Sequence, residues 1–305
     1  VETWYGKPPE GLERYAPALH AARARLPEAG RLLLQIAADN AQPAIARASA
    51  LQALARYPDA AMLAQVQQDL AATDPLLRLG ALEALADLGP AQRLLAAPLL
   101  WDDLKALRTE AARLLAILPD DQLPEQVRSQ RAQAIEEYIA VQAFNAERPE
   151  AQLNLGALYA DQGKHQDAEL AYRKAIARQP RFVPAYVNLA QLLAERGREQ
   201  QADGLLRQGL EREPTSPDLE HALGLSLVRQ KRLDAATAAL SRAAALAPEN
   251  ARYSYVYAVA LQSDGKLDQA IEALEDSHNR HPGDLDTLVA LATFHRDAGR
   301  PQEAL

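Results

Sequence analysis

The sequence has no cysteine and a single methionine, and only 5% of its 305 residues are aromatic. Without cysteine there is no disulfide, no thiolate nucleophile and no thiolate metal site. With 48% hydrophobic residues but so few aromatics, the apolar content is mostly Ala and Leu. Such side chains suit closely packed helices, whereas a β-sandwich draws on Val, Ile and aromatics. No apolar run approaches the ~20 residues that a membrane-spanning helix needs, so no membrane insertion is expected within this segment. An excess of basic charge is missing too: 33 Lys and Arg stand against 41 Asp and Glu, a formal net charge of -8. A general nucleic-acid binder needs a basic face to displace counterions, so nucleic acid is not expected as a partner.

What is present is repetition. Pro180, Pro214, Pro248 and Pro282 stand at a constant step of 34, as do Ala168, Ala202, Ala236, Ala270 and Ala304. Gly156, Ala190, Gly224, Ala258 and Ala292 form a column of small residues, each preceded by Leu155, Leu189, Leu223, Tyr257 or Leu291. Tyr172, Leu206, Leu240 and Leu274 place a large residue four after each repeated Ala. The steric reading is two antiparallel helices per unit. The small residue and the repeated Ala lie where the backbones approach, and a larger side chain would push them apart. A short turn carrying Gly163, Gly197, Lys231, Gly265 or Gly299 joins them, and the Pro ends the second helix. Lys231 and the mid-helix Gly209 are local departures costing on the order of 1 kcal/mol each.

In period and pattern this stretch closely resembles the tetratricopeptide repeat; its first unit reads PEAQLNLGALYADQGKHQDAELAYRKAIARQP, residues 149–180. The expected units are 149–182, 183–216, 217–250, 251–284 and a truncated 285–305. Upstream, IARASALQALARY (45–57), LLRLGALEALADL (76–88) and LKALRTEAARLLAIL (104–118) superpose. Arg47, Arg78 and Arg108 align at steps of 31 and 30, as do Leu54, Leu85 and Leu115. Second helices are expected around 60–71 and 90–100. This resembles short HEAT-type repeats, which implies Asp74 capping a helix and Arg78 pairing with it in a ladder; the alternative is an exposed Arg on a helix face. The fold class expected is therefore all-α, an α-solenoid of HEAT-like helical hairpins followed by tetratricopeptide repeats. Its parts are a lead-in and first helix (1–30), HEAT-like repeats (31–118), a linker and transition helix (119–148) and the second array (149–305). PDDQLPE, 119–125, is the expected boundary. Residues 1–11 read as a non-helical lead-in, followed by helices near 12–25 and 27–38.

No chemistry emerges. His278 and His281 stand three apart beside Pro282, but a metal site needs further ligands; a solvated helix end is the plainer reading. There is no HExxH and no Gly-rich phosphate loop. Gly224-Leu225-Ser226-Leu227-Val228 approaches a nucleophile elbow but lacks its second Gly and sits inside a repeat helix. Glu136 and Glu137 are expected on a solvated face, and Trp4, Trp101, Tyr253 and Tyr257 in packing roles. Neither a catalytic residue, a metal nor a cofactor is expected in this segment.

The surface that the repeat resemblance implies is a groove along the first helices, with Leu153, Val187, His221 and Tyr255 at one repeat position and Ala157, Gln191, Leu225 and Val259 at another. This mostly apolar lining suits a protein or peptide partner. Arrays that clamp a C-terminal carboxylate use a Lys/Asn pattern which Asn188 fits, and which Leu153, Ala157, Asp218 and Ala222 do not.

The order of parts also resembles a family. WYGKPPEGLERYAPALHAAR (4–23), AIARASALQALA (44–55), ERPEAQLNLGALYADQGKHQDAELAYRKAI (147–176) and APENARYSYVYAVALQSDGKLDQAIEALE (247–275) are similar to the C-terminal part of bacterial multihaem c-type cytochrome proteins. Those carry CxxCH haem motifs ahead of a HEAT and tetratricopeptide tail. The resemblance implies the haem-free tail of an exported protein, in the periplasm, with haem c borne upstream of Val1. The other expectation is a free-standing peptide-binding adaptor or assembly factor, for example in cytochrome maturation. The start at Val1 and the close on PQEAL, in the first turn of a helix, are read as marks of an interior segment.

Overall fold

The computed structural model describes residues 12–300 and 302. The expected lead-in with Trp4, and the repeat positions Ala304 and Leu305, lie outside the described residues. Among the described residues there are seventeen α-helices, two 3-10 segments and no strand, so the chain is all-α. It divides into two compact units, residues 1–144 and 145–305.

In the first unit α1 (Leu12–Arg23) and α2 (Ala29–Ala38) precede three similar helices, α3 (Ala44–Leu54), α5 (Pro75–Leu85) and α7 (Lys105–Leu115). Between α3 and α5 lies α4 (Ala60–Asp69), started by the Asp59 carboxylate, which accepts from Met62 N at 2.7 Å. The second helix expected around 90–100 is only one turn, α6 (Pro90–Arg93), continued as a 3-10 segment over Leu94–Trp101. Pro98 is the reason: it has no N–H to give and its ring clashes with the carbonyl a turn back. Trp101, expected to pack, is 51% exposed at the end of this segment. The α3 and α5 backbones touch at Gly80, where a Cβ would stand 2.8 Å from Ala48 Cα and O.

Each aligned arginine reaches both ways. Arg47 Nε donates to Ala37 O at 2.8 Å, and Nη2 lies 3.2 Å from Asp69. Arg78 Nη1 donates to Ala72 O and Thr73 O at 2.7 and 2.9 Å, and Nε sits 2.7 Å from Asp102 Oδ2. Arg108 Nη1 donates to Asp102 O and Asp103 O, and Nη2 grips Glu137 at 2.9 Å. The cations thus sit on chain carbonyls left open where helices and turns end. Arg78 pairs not with Asp74, which caps its own helix through Leu76 N, but with the capping Asp102 of the next turn. Glu137, expected on a solvated face, is the last acceptor of this series.

The stretch 119–125 is a 3-10 turn (Asp120–Gln122) leading into α8 (Glu125–Phe144). Buried Arg131 of α8 donates to Leu115 O and Leu118 O at 2.8 and 2.6 Å and pairs with Asp120. The division between units therefore falls after Phe144, because α8 is tied back onto α7.

The second unit is a run of helical pairs: α9 (Pro149–Asp161) with α10 (His165–Arg178), α11 (Val183–Glu195) with α12 (Glu199–Arg212), α13 (Pro217–Arg229) with α14 (Leu233–Leu246), and α15 (Ala251–Ser263) with α16 (Leu267–Arg280); α17 (Leu285–Asp297) begins a fifth. Ala168, Ala202, Ala236 and Ala270 are wholly buried. A Cβ on Gly156 would meet the Tyr172 ring at 2.3 Å, and one on Gly224 would meet Leu240 at 2.5 Å. The glycines in this column are thus the counterpart of the large residue on the second helix. Gly209 has the same logic, since a Cβ there would press on Leu219 and Tyr186 at 3.1 and 3.2 Å. The turn residues Gly163, Gly197, Gly265 and Gly299 have φ of +70° to +77°, and Lys231 adopts the same left-handed turn at φ +59°.

Between the paired helices runs a further column: Arg198, Arg232, Lys266 and Arg300, at the step of 34, each placed after the turn residue. Each reaches back one repeat, Arg198 to Glu169 (2.5 Å), Arg232 to Asp203 (3.3 Å), Lys266 to Asp234 (3.3 Å) and Arg300 to Asp268 (2.5 Å). Buried apolar residues group as one cluster from Ala168 to Ala239 and another from Ala258 to Phe294, with Ala243, Ala247 and Tyr253 packed together between them in the sequence.

Candidate interaction groove

The first helix of each pair places one residue per turn on a common face, because positions four apart stack on a helix. Of the eight expected groove residues Gln191 is exposed, and Leu153, Ala157, Val187, His221, Leu225, Tyr255 and Val259 are half-buried. Four of them, Val187, Gln191, His221 and Leu225, line a single cavity of about 430 Å³ between α11 and α13. The small residues Ala190, Ala194 and Ala222 leave the space, and Leu206 closes it from below. Glu195, Asp218 and Arg229 complete the rim. The other four lie elsewhere along the face: Leu153 packs against the same core, Ala157 stands on α9, and Tyr255 and Val259 pack against the Ala258–Phe294 cluster. Val289, one step of 34 beyond Tyr255, is 66% exposed at the same repeat position. The repeat step alone could have found it.

His221 is the most perturbed group at the cavity. Its ring packs against Tyr253 with centroids 4.7 Å apart, and its Nδ1 is buried without a hydrogen-bond partner. Burial, assisted by the Arg252 charge and opposed by Asp218, pulls its pKa down to about 4. It is therefore a neutral, largely apolar wall at ordinary pH. The Tyr253 hydroxyl donates to the Asp218 carboxylate, and burial together with that carboxylate raises its pKa. Tyr172 is pushed up to about 12, chiefly by burial, with a hydrogen bond to Asn188 acting the other way. Asn188, the residue that fits a carboxylate clamp, is thus engaged by Tyr172.

Ser226 of the elbow-like stretch is fully buried and donates to Asp203 at 2.6 Å. It joins α12 to α13 and presents no hydroxyl to solvent. His281 Nε2 donates to Pro248 O at 2.9 Å, so this imidazole bridges successive repeats. Among the described residues no group of three or more His, Asp or Glu is arranged to hold a metal ion, and no helix is long and apolar enough to cross a membrane.

Two family models match, both described as tetratricopeptide repeat: one over residues 159–226, the other over 126–181 and 221–284. The second unit carries tetratricopeptide repeats. The match begins within α8, which the division by packing assigns to the first unit. No curated protein matches the chain. Among solved structures, a crystal structure of MamA protein is 25% identical, covering 52% of this chain and 87% of that one with a TM-score of 0.44. A second MamA structure is 26% identical over 49% and 88%, with a TM-score of 0.43. YrrB, described as a TPR protein with an unusual peptide-binding site, is 20% identical over 55% and 87%, with a TM-score of 0.42.

Proposed function

We propose that this chain is a non-catalytic protein–protein interaction scaffold whose tetratricopeptide repeats hold a partner polypeptide along the face from Leu153 to Val259. The observation that carries the reading is the open, mostly apolar cavity between α11 and α13, at repeat positions that the neighbouring pairs also present half-buried. Such a lining desolvates apolar side chains of an extended or helical segment, the usual source of affinity in peptide grooves. Leu225→Glu combined with Tyr255→Ala should weaken partner capture from extract while leaving the circular dichroism unaltered. Undiminished capture of the same partner would place binding on another face.

The finer reading is a haem-free tail of an exported multihaem cytochrome, working in the periplasm, with HEAT-like repeats in the first unit. Its support is the order of parts and the four stretches 4–23, 44–55, 147–176 and 247–275. The Arg47, Arg78 and Arg108 series adds to the HEAT-like part of it. With no cysteine in the chain, haem c would be borne by sequence upstream of Val1. CxxCH codons there, followed through to a signal peptide, are the expected finding; a leader without them would sink this part of the reading.

A further inference from the structure

A second groove, of about 690 Å³, lies at the fourth helical pair, between the end of α14 and the helices α15 and α16. It shares no lining residue with the α11–α13 cavity. Its origin is one repeat position. Counted in steps of 34, Gln152, Tyr186, Glu220 and Ser254 are equivalent, and all four are buried. The Tyr186 hydroxyl donates to Pro180 O at 2.9 Å. Glu220 accepts both arms of the Arg242 guanidinium across the third pair, at 2.7 and 2.9 Å. Ser254 is too short for either contact, and the place of Arg242 on the second helix is taken by Asp276. Ser254 and Asp276 both line the groove, and the small Ala244, Ala245 and Ala273 leave its space. The fourth pair thus has a groove where the third has its own carboxylate–guanidinium bridge.

The polar groups of this groove lack donors. Ser254 is 3% exposed, and its hydroxyl makes no hydrogen bond among the described residues. A polar side chain placed so deeply is normally bonded. The half-buried Tyr257 and the Gln269 amide on the wall have no side-chain hydrogen bond among the described residues either. Three charged side chains line the groove, Glu272, Asp276 and Arg280. Asp276 and Arg280 match one another at 2.8 Å within α16. Glu272 has neither an ion pair nor a hydrogen bond among the described residues.

We propose that this groove is a second binding site, one that takes an arginine side chain of a partner polypeptide. The guanidinium pairs with Glu272 and donates to the Ser254 and Tyr257 hydroxyls, so the partner supplies the cation that Arg242 supplies in the third pair. Its planar fork carries five donors, enough for several acceptors at once, whereas a lysine ammonium is more strongly hydrated and offers a point charge.

The test uses the intact protein and three fluorescein-labelled peptides of alanine with one central residue: Arg, Lys or citrulline, the last a neutral match in shape for Arg. The Arg peptide should bind about tenfold tighter than the citrulline peptide, as a charge-assisted contact predicts, with Lys between them, and its affinity should fall as salt rises. Glu272→Gln, at an exposed position, should bring the Arg peptide down to the citrulline level. Ser254→Glu combined with Asp276→Arg rebuilds the bridge of the third pair, and should abolish binding of the Arg peptide without lowering the urea midpoint. Leu225→Glu, in the other cavity, should leave it unchanged. Equal binding of the Arg and citrulline peptides would overturn the arginine site in favour of a neutral ligand, and no binding by any of the three would overturn it outright. Binding that Leu225→Glu removes and Glu272→Gln spares would place the peptide between α11 and α13, overturning this site while leaving the proposed groove standing.

Discussion

Both units carry basic side chains from one helical element to another, but they do so in opposite surroundings. In the first unit the arginines are sunk among chain carbonyls. The Arg47 side chain is 11% exposed and its partner Asp69 only 2%. In the second unit the cations themselves are 37% to 51% exposed, and their acceptors range from Asp203 at 10% to Asp234 at 94%. The same Coulombic contact therefore has different consequences. Removing one member of a buried pair strands the other, whereas an exposed pair gains little over its hydrated parts. The second unit keeps its spacing instead by steric columns, the small residues against Tyr172, Leu206, Leu240 and Leu274.

The strongest test of this contrast is Arg78→Ala. It leaves Asp102 and the carbonyls of Ala72 and Thr73 without their donor, and should cost about 3–5 kcal/mol in urea unfolding. A loss below about 1 kcal/mol would erase the distinction between the units. Next comes Ala202→Leu, which overpacks the wholly buried contact of α11 with α12 and should cost about 1–3 kcal/mol. An unchanged midpoint would show that steric spacing does not govern the second unit.

Lys231→Gly is expected to raise stability. A side chain in the left-handed turn costs about 1–2 kcal/mol, partly offset by the greater freedom of glycine in the unfolded chain, so a net gain of about 0.5–1 kcal/mol should appear. A loss would mean that the lysine holds the turn by contacts of its own. The smallest effect belongs to Arg198→Ala, below about 1 kcal/mol and shrinking further at high salt. A large, salt-independent loss would move the exposed ladder into the same class as the buried one.

Much of the second unit was legible in the sequence because close backbone approach demands a small residue at every repeat. The wholly buried Ala168, Ala202, Ala236 and Ala270 make this plain. The cation column from Arg198 to Arg300 stood in equally plain view. Its meaning did not, because its acceptors change place: Glu169 and Asp203 occupy one repeat position, Asp234 and Asp268 another. A pairing whose partner shifts along the helix leaves no fixed column to read. Arg78 is a similar case. Its nearby Asp74 is an obvious candidate, yet Asp102, 24 residues on, is brought closer by the turn of the chain. For the groove, the repeat register named Val187, Gln191, His221 and Leu225 individually. That these four, rather than Ala157 or Val259, surround one cavity depends on the gap that Ala190, Ala194 and Ala222 leave between α11 and α13.

The sequence by itself determined that the chain is helical, that its second half repeats every 34 residues, and which residues must be small where helices cross. Those properties follow from periodicity and side-chain volume, which are local. Tertiary structure alone decided that α8 is tied to α7 through Arg131, that Trp101 is left half exposed, and that Glu195, Asp218 and Arg229 meet on the rim of one cavity. Each of these depends on which distant groups share a space, and burial and charge compensation are properties of that shared space.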